Sequence, residues 1–231
     1  MKLTASIEQV LTVADALSQL PEPHAFVGGA IVGLYLTDPA AQPPRHTKDV
    51  DVVLEIMTYA RFDKLQEKLR GLKFAHDTSP GAPICRWRFK EILVDVMPSN
   101  ESVLTWKKGW FEQALKHAQD IEVRRGRSLR IVTAPFFLAT KFDAFEDRGR
   151  KDPIMSPDLE DIVLIVDGRP EIVDEVAAAP ADLRKFLHDH CKPLVEDSLL
   201  RETVTQLLQP GPIQAERAKV VLERLKRMAP P

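Results

Sequence analysis

The sequence predicts an α+β protein, a small mixed β-sheet with flanking helices, followed by a C-terminal helical region. Three observations lead there. Short apolar runs of strand character fall before residue 105. Amphipathic helical patterns alternate with those runs. From Trp106 onward the signals are nearly all helical, and residues 170–228 carry no strand pattern. The expected organisation is an α/β core over residues 1–105 and a helical region over 106–231, with the break between residues 105 and 131.

The elements follow in order. Residues 4–19 place Ile7, Val10, Leu11, Ala14 and Leu17 at helical spacing, and Pro21 and Pro23 end the pattern. "HAFV" reads as a strand running into the pair Gly28-Gly29. "AIVGLYL" resumes too soon for a hairpin and reads as a helix. After the Pro-rich "DPAAQPPRH" comes "TKDVDVVLEI", residues 47–56, a strand rich in Val, Leu and Ile. "YARFDKLQEKLRGLKF" is an amphipathic helix with Phe62, Leu65 and Leu69 on one side. "ICRWRFK" and "ILVDVMPS" are close enough to pair as a hairpin. "APFFLATKFDAFEDRG" and "SPDLEDIVLIVDG" are helices ending at Gly, and Ser156-Pro157 supplies an N-cap and a Pro at the first helical position.

Composition narrows the function classes. Apolar residues make up 44% and charged residues 29% of 231, an ordinary globular balance. The net charge of −2 gives no bulk case for nucleic-acid binding. Two cysteines, Cys85 and Cys191, make no disulfide framework. The N-terminal segment lacks a signal-peptide core, and no apolar run approaches the ~20 residues that span a bilayer. The expectation is a cytoplasmic protein with no membrane partner.

Chemistry concentrates in the acids that interrupt apolar strands. Asp49 and Asp51 stand two apart, so they share a strand face with Cα atoms roughly 6.5 Å apart. Such a pair also fits a half-exposed strand with polar residues outward. Asp95 changes the balance, because it too sits alone among Ile92, Leu93, Val94 and Val96. Three converging carboxylates suit a hard divalent cation such as Mg²⁺ (or Mn²⁺), whose open positions take substrate phosphates. The third acid can help deprotonate an incoming hydroxyl. Gly28 and Gly29 lie where a strand turns into a helix, a place where backbone N–H groups receive phosphates.

The series Gly28-Gly29, Asp49-Val50-Asp51 and Asp95 resembles the nucleotidyltransferase superfamily that includes DNA polymerase β. Within it, "GGAIVGLYL", "TKDVD", the helix bearing Lys141 and the acids Asp158 and Asp161 are most similar to the AbiEii-type abortive-infection toxins. The resemblance covers roughly residues 25–168. It implies a sheet core of that fold and transfer of NMP from an NTP to an acceptor hydroxyl, with Asp49, Asp51 and Asp95 as metal ligands. It also implies catalytic roles for those three acids, Lys141 and Asp158, and nucleotide contacts from Gly28, Gly29, Thr47, Lys48, Lys141 and Arg148. The implied acceptor is RNA, such as a tRNA 3′ end, in a toxin–antitoxin setting with a cognate antitoxin protein as partner. An antibiotic-type small-molecule transferase and an inactive nucleotide-binding module are the alternatives. Two features depart from the family pattern. Gly29 replaces a frequent Ser, and Asp152 competes with Asp158 for the late acidic role, where "DLED" favours Asp158.

Other motifs invite weaker readings. Lys141, Phe145 and Arg148 fall on one helical face. "RRGRSLR", with Lys107 and Lys108, is the densest basic stretch and reads as a solvated turn or an RNA contact. Arg86, Arg88 and Lys90 share a strand face that can border a cleft. "HDHC" (His188 to Cys191) places two His at i, i+2 on a helix, where they diverge, which disfavours a zinc site.

Overall fold

The computed structural model describes residues 4–107 and 109–229 and divides into two compact units. Met1–Ile31 with Arg45–Thr133 form the first, and Val32–Pro44 with Ala134–Pro231 form the second.

In the first unit, helix α1 (Ala5–Leu17) opens at Thr4, whose hydroxyl accepts from the Ile7 N–H. Strand β1 (His24–Val27) leads into the helix read from "AIVGLYL", which is a 3₁₀ helix over Gly29–Leu34 whose residues from Val32 on belong to the second unit. Strand β2 (Asp49–Leu54) is followed by helix α2 (Tyr59–Gly71), which buries Phe62, Leu65 and Leu69. The short β3 (Ala75–His76), β4 (Arg86–Phe89) and β5 (Ile92–Pro98) come next, and β4 pairs antiparallel with β5 as the expected hairpin.

Beyond residue 105 the first unit continues differently from the helical expectation. After a short helix α3 (Phe111–Lys116), the chain forms a hairpin of β6 (Gln119–Arg124) and β7 (Arg127–Ile131). Strand β6 lies at the sheet edge and buries only Val123, so it has no apolar run to betray it. Among the described residues the seven strands form one mixed sheet in the order β3-β4-β5-β2-β1-β7-β6. Strand β2 is central, parallel to β5 and antiparallel to β1. Val50, Val52, Val53 and Leu54 are fully buried, as a central strand requires.

In the second unit, helix α4 (Ala134–Ala144) runs into a π-turn, Phe145–Gly149. Helix α5 (Pro157–Gly168) starts as expected, with Ser156 Oγ accepting from the Leu159 N–H and Pro157 in the first turn. Helices α6 (Ile172–Ala177), α7 (Ala181–Glu196), α8 (Ser198–Gln206) and α9 (Gln214–Met228) pack beside them. The C-terminal end of α5 is covered by the segment from Leu36 to Gln42. The Gly168 carbonyl accepts from the Thr37 and Asp38 N–H groups at 2.9 and 3.0 Å. Arg217 of α9 donates to Asp167 and Asp38, and Arg224 donates to the carbonyls of Val166 and Asp167. Among the described residues no helix is long and apolar enough to cross a membrane.

Gly168 is needed for that cover, because a Cβ there would lie 2.7 Å from Leu36 Cδ2 and 2.9 Å from Ala41 Cβ. Gly168→Ala should destabilise the protein by about 1–3 kcal/mol through overpacking. Denaturant titration followed by far-UV circular dichroism checks this, and an unchanged midpoint would contradict the close approach.

Candidate active site

The register of the central strands brings the acids together. Asp51 of β2 pairs directly with Asp95 of β5, and paired residues on adjacent strands point to the same face. Asp49, two residues before Asp51, shares that face. The burial of β2 alternates at its start, with Asp49 and Asp51 half-buried and Val50 and Val52 buried. The three carboxylates predicted to converge therefore lie on one side of the sheet. On a solvated strand face they would stand in water without fixed partners, whereas Asp49 and Asp95 share one.

Arg86 is the fixed partner. It pairs directly with Asp95 across β4 and β5, so it occupies the same face. Its Nε and Nη2 donate to the two Asp95 oxygens at 2.8 and 2.7 Å, and Nη2 also donates to Asp49 Oδ2 at 2.8 Å. The bond to Asp95 raises the guanidinium pKa, and nearby Asp49 adds to that. The sequence reading placed Arg86 at the border of a cleft. It missed that the guanidinium bridges two of the acids. Strand parity with Asp95 was the available signal, since hairpin neighbours on one face meet.

Gly28 closes the other side of this face. It has φ +75°, and a Cβ on it would collide with the Asp51 carboxylate and stand 2.8 Å from Asp51 Cβ. Only glycine fits both constraints. Gly29 begins the 3₁₀ turn. Thr47 is buried, with its hydroxyl 3.4 Å from the Asp49 carbonyl oxygen, whereas Lys48 is exposed. The neighbouring Cys85 thiol is pushed up to about 12 by burial, and the Asp95 and Asp51 charges add to the effect.

The remaining predicted residues cluster inside the second unit. Lys141 of α4 is 7% exposed, and its ammonium lies 3.2 Å from Asp158 Oδ1 and 2.7 Å from Asp161 Oδ2. Arg148, in the π-turn, donates to both oxygens of Asp158 at 2.7 and 3.0 Å. Asp158 is buried in the first turn of α5, while Asp152 is exposed. Lys141 and Arg148 thus meet on one carboxylate, and Asp161, the second Asp of the "DLED" motif, is buried against the same ammonium.

Other motifs resolve into structural contacts. In the basic hairpin, Arg124 faces Glu8 at 3.6 Å, Arg130 faces Asp120 at 3.5 Å, and Arg127 is paired with Asp15. Lys107 is exposed, and Lys108 lies outside the described residues. In "HDHC", His188 faces Asp189, His190 stacks on Phe186, and Cys191 turns into the core.

A divalent cation is implied by the acid pattern. Asp49, Asp51 and Asp95 suit one in kind and number, since all are hard oxygen donors on one face. As the side chains stand, no group of three acidic, His or Cys residues among the described residues is arranged to hold a metal. Arg86 explains this for Asp49 and Asp95, whose oxygens it engages.

Burial alone would raise the Asp158 pKa, but the Arg148 hydrogen bonds and the Lys141 charge outweigh it and hold the carboxyl below its ordinary value. A carboxyl depressed in the folded state stabilises the protein above its unfolded pKa, near 3.9, and that contribution fades as pH falls through the folded value. Asp158→Asn should therefore be less stable than the parent at about pH 6, with the difference shrinking toward about pH 3. Thermal melts across that range check the sign, and a constant difference would contradict it.

No family model matches the chain, and no curated protein matches it. Solved structures of similar shape exist at low identity. An antigenic nucleotidyltransferase-like protein from Paracoccidioides brasiliensis is 19% identical over 92% of this chain and 91% of that one, with a TM-score of 0.46. The solution structure of the antibiotic-resistance factor ANT(2'')-Ia is 14% identical over 78% of this chain and 86% of that one, with a TM-score of 0.44. The crystal structure of ANT(2'')-Ia with adenylyl-2''-tobramycin is 13% identical over 82% and 98%, with a TM-score of 0.47.

Proposed function

We propose that this protein is a metal-dependent nucleotidyltransferase that moves NMP from an NTP to an acceptor hydroxyl. The observation that carries the reading is the direct pairing of Asp51 with Asp95, which sets both on the face that also bears Asp49. In the proposal Asp49 and Asp51 hold Mg²⁺ or Mn²⁺, with Asp95 beside them. The cation would neutralise charge on the triphosphate and on the oxygens exchanged at the α-phosphorus.

The chain's own residues then have separable tasks. The Asp51 carboxylate fills the space that a side chain at Gly28 would take, and in the proposal the Gly28-Gly29 turn offers its backbone N–H groups to a phosphate. Asp95, with both oxygens already accepting from Arg86, is held in place to orient the acceptor hydroxyl. Rate enhancement in such a site comes mainly from positioning and electrostatics. Nucleotide contacts from Thr47, Lys48, Lys141 and Arg148 remain part of the proposal through the sequence resemblance. For Lys141 and Arg148 the task is shared with their ion pairs to Asp158.

The proposed acceptor is RNA, such as a tRNA 3′ end, and a toxin role with an antitoxin partner belongs to the same reading. Its support is the sequence resemblance. The hairpin arginines already face Glu8, Asp15 and Asp120, so an RNA backbone there would have to displace those carboxylates.

Incubation with α-³²P-labelled NTPs, Mg²⁺ and total RNA should label an acceptor, and nuclease or protease treatment then identifies its class. Asp49→Asn and Asp51→Asn should each lower labelling by at least ~10²-fold while leaving the thermal melt in place. Labelling undiminished in both variants would remove the proposed site.

A further inference from the structure

Building on the proposed transfer site, we infer that Arg86 is a positioning residue that fixes Asp95 and competes with the divalent cation for Asp49. The three hydrogen bonds of its guanidinium are unequal. Asp95 receives two, one on each oxygen, in the fork geometry that suits a carboxylate. Asp49 receives one, from the Nη2 that already serves Asp95. Arg86 and Asp95 are direct partners on adjacent strands, so the backbone ladder itself sets their fork. Asp49 sits on the strand beyond, and its side chain is 34% exposed against 11% for Asp95. Asp95 is the anchored carboxylate and Asp49 the one able to turn away.

The competition follows from Coulomb's law. A divalent ion on Asp49 Oδ2 would meet a guanidinium 2.8 Å from the same oxygen, and two cations that close repel strongly in a half-buried setting. Either Asp49 leaves Arg86 or the ion binds against that repulsion. In both cases Arg86 weakens cation binding in the nucleotide-free protein. A triphosphate brings negative charge that offsets the penalty, so cation and nucleotide enter together. Arg86 also sets where Asp95 points, because a carboxylate in register with Asp51 and without a counter-charge would turn from it.

Mn²⁺ binding, read by the loss of free-ion paramagnetic resonance signal, tests this without relying on turnover. Arg86→Gln should bind Mn²⁺ about tenfold more tightly than the parent in the absence of nucleotide, a shift of about 1.4 kcal/mol. Its kcat for label transfer should fall while KM for NTP changes less. Arg86→Lys keeps the charge without the fork, so Mn²⁺ affinity should stay near that of the parent while kcat falls. A folded Arg86→Gln with unchanged or weaker Mn²⁺ affinity overturns the inference, and so does an Arg86→Lys variant with parental kcat should the Gln variant not fold. Parental label transfer alongside either result would leave the transferase reading standing. Absence of both Mn²⁺ binding and transfer in the parent would overturn the two together.

Discussion

The pairing of Asp51 with Asp95 in the parallel ladder of β2 and β5 is the constraint on which the candidate site depends. Side-chain parity is binary, so a slip of one residue would send Asp95 to the opposite face. The buried Val50, Val52, Val94 and Val96 prevent that slip, because it would expose the apolar set. The hydrophobic core thus determines the position of the acids. Their mutual repulsion is met by Arg86, which is placed by the same ladder one strand further on.

Much of this was legible in the sequence. An acid interrupting an apolar strand stands out, and two such strands, with period-two spacing in one, define a shared face before any coordinates exist. The glycine turn was visible for the same reason, although its exact duty was not. Gly28 is required by the Asp51 side chain as much as by its own positive φ. The hairpin of β6 and β7 was hidden because an edge strand with one buried residue has almost no hydrophobic signal. Charge pairing was hidden too. Asp15 with Arg127 and Glu8 with Arg124 join residues more than a hundred positions apart, and no local pattern encodes them.

In the helical unit, Lys141, Asp158, Asp161 and Arg148 form a charged cluster among buried apolar helices. A lone ammonium buried at this depth would be costly, and the two carboxylates offset the cost. The helix start at Ser156-Pro157 made the position of Asp158 predictable. Its partners were predictable only in part, because the π-turn changes the spacing on which helical-face arithmetic relies.

The helical unit is not continuous in the chain. Residues 32–44, encoded between the first two strands, close the end of α5 through the Gly168 carbonyl and hold Asp38 against Arg217. A fragment beginning at residue 134 would lack this segment. It would leave the Gly168 carbonyl without the Thr37 and Asp38 donors, Arg217 short of one carboxylate, and Tyr35 missing from its place beside Phe137. Dissecting the protein at the apparent sheet-to-helix boundary would therefore yield two incomplete halves, and supplying residues 32–44 in trans as a peptide is the natural route to restoring the second.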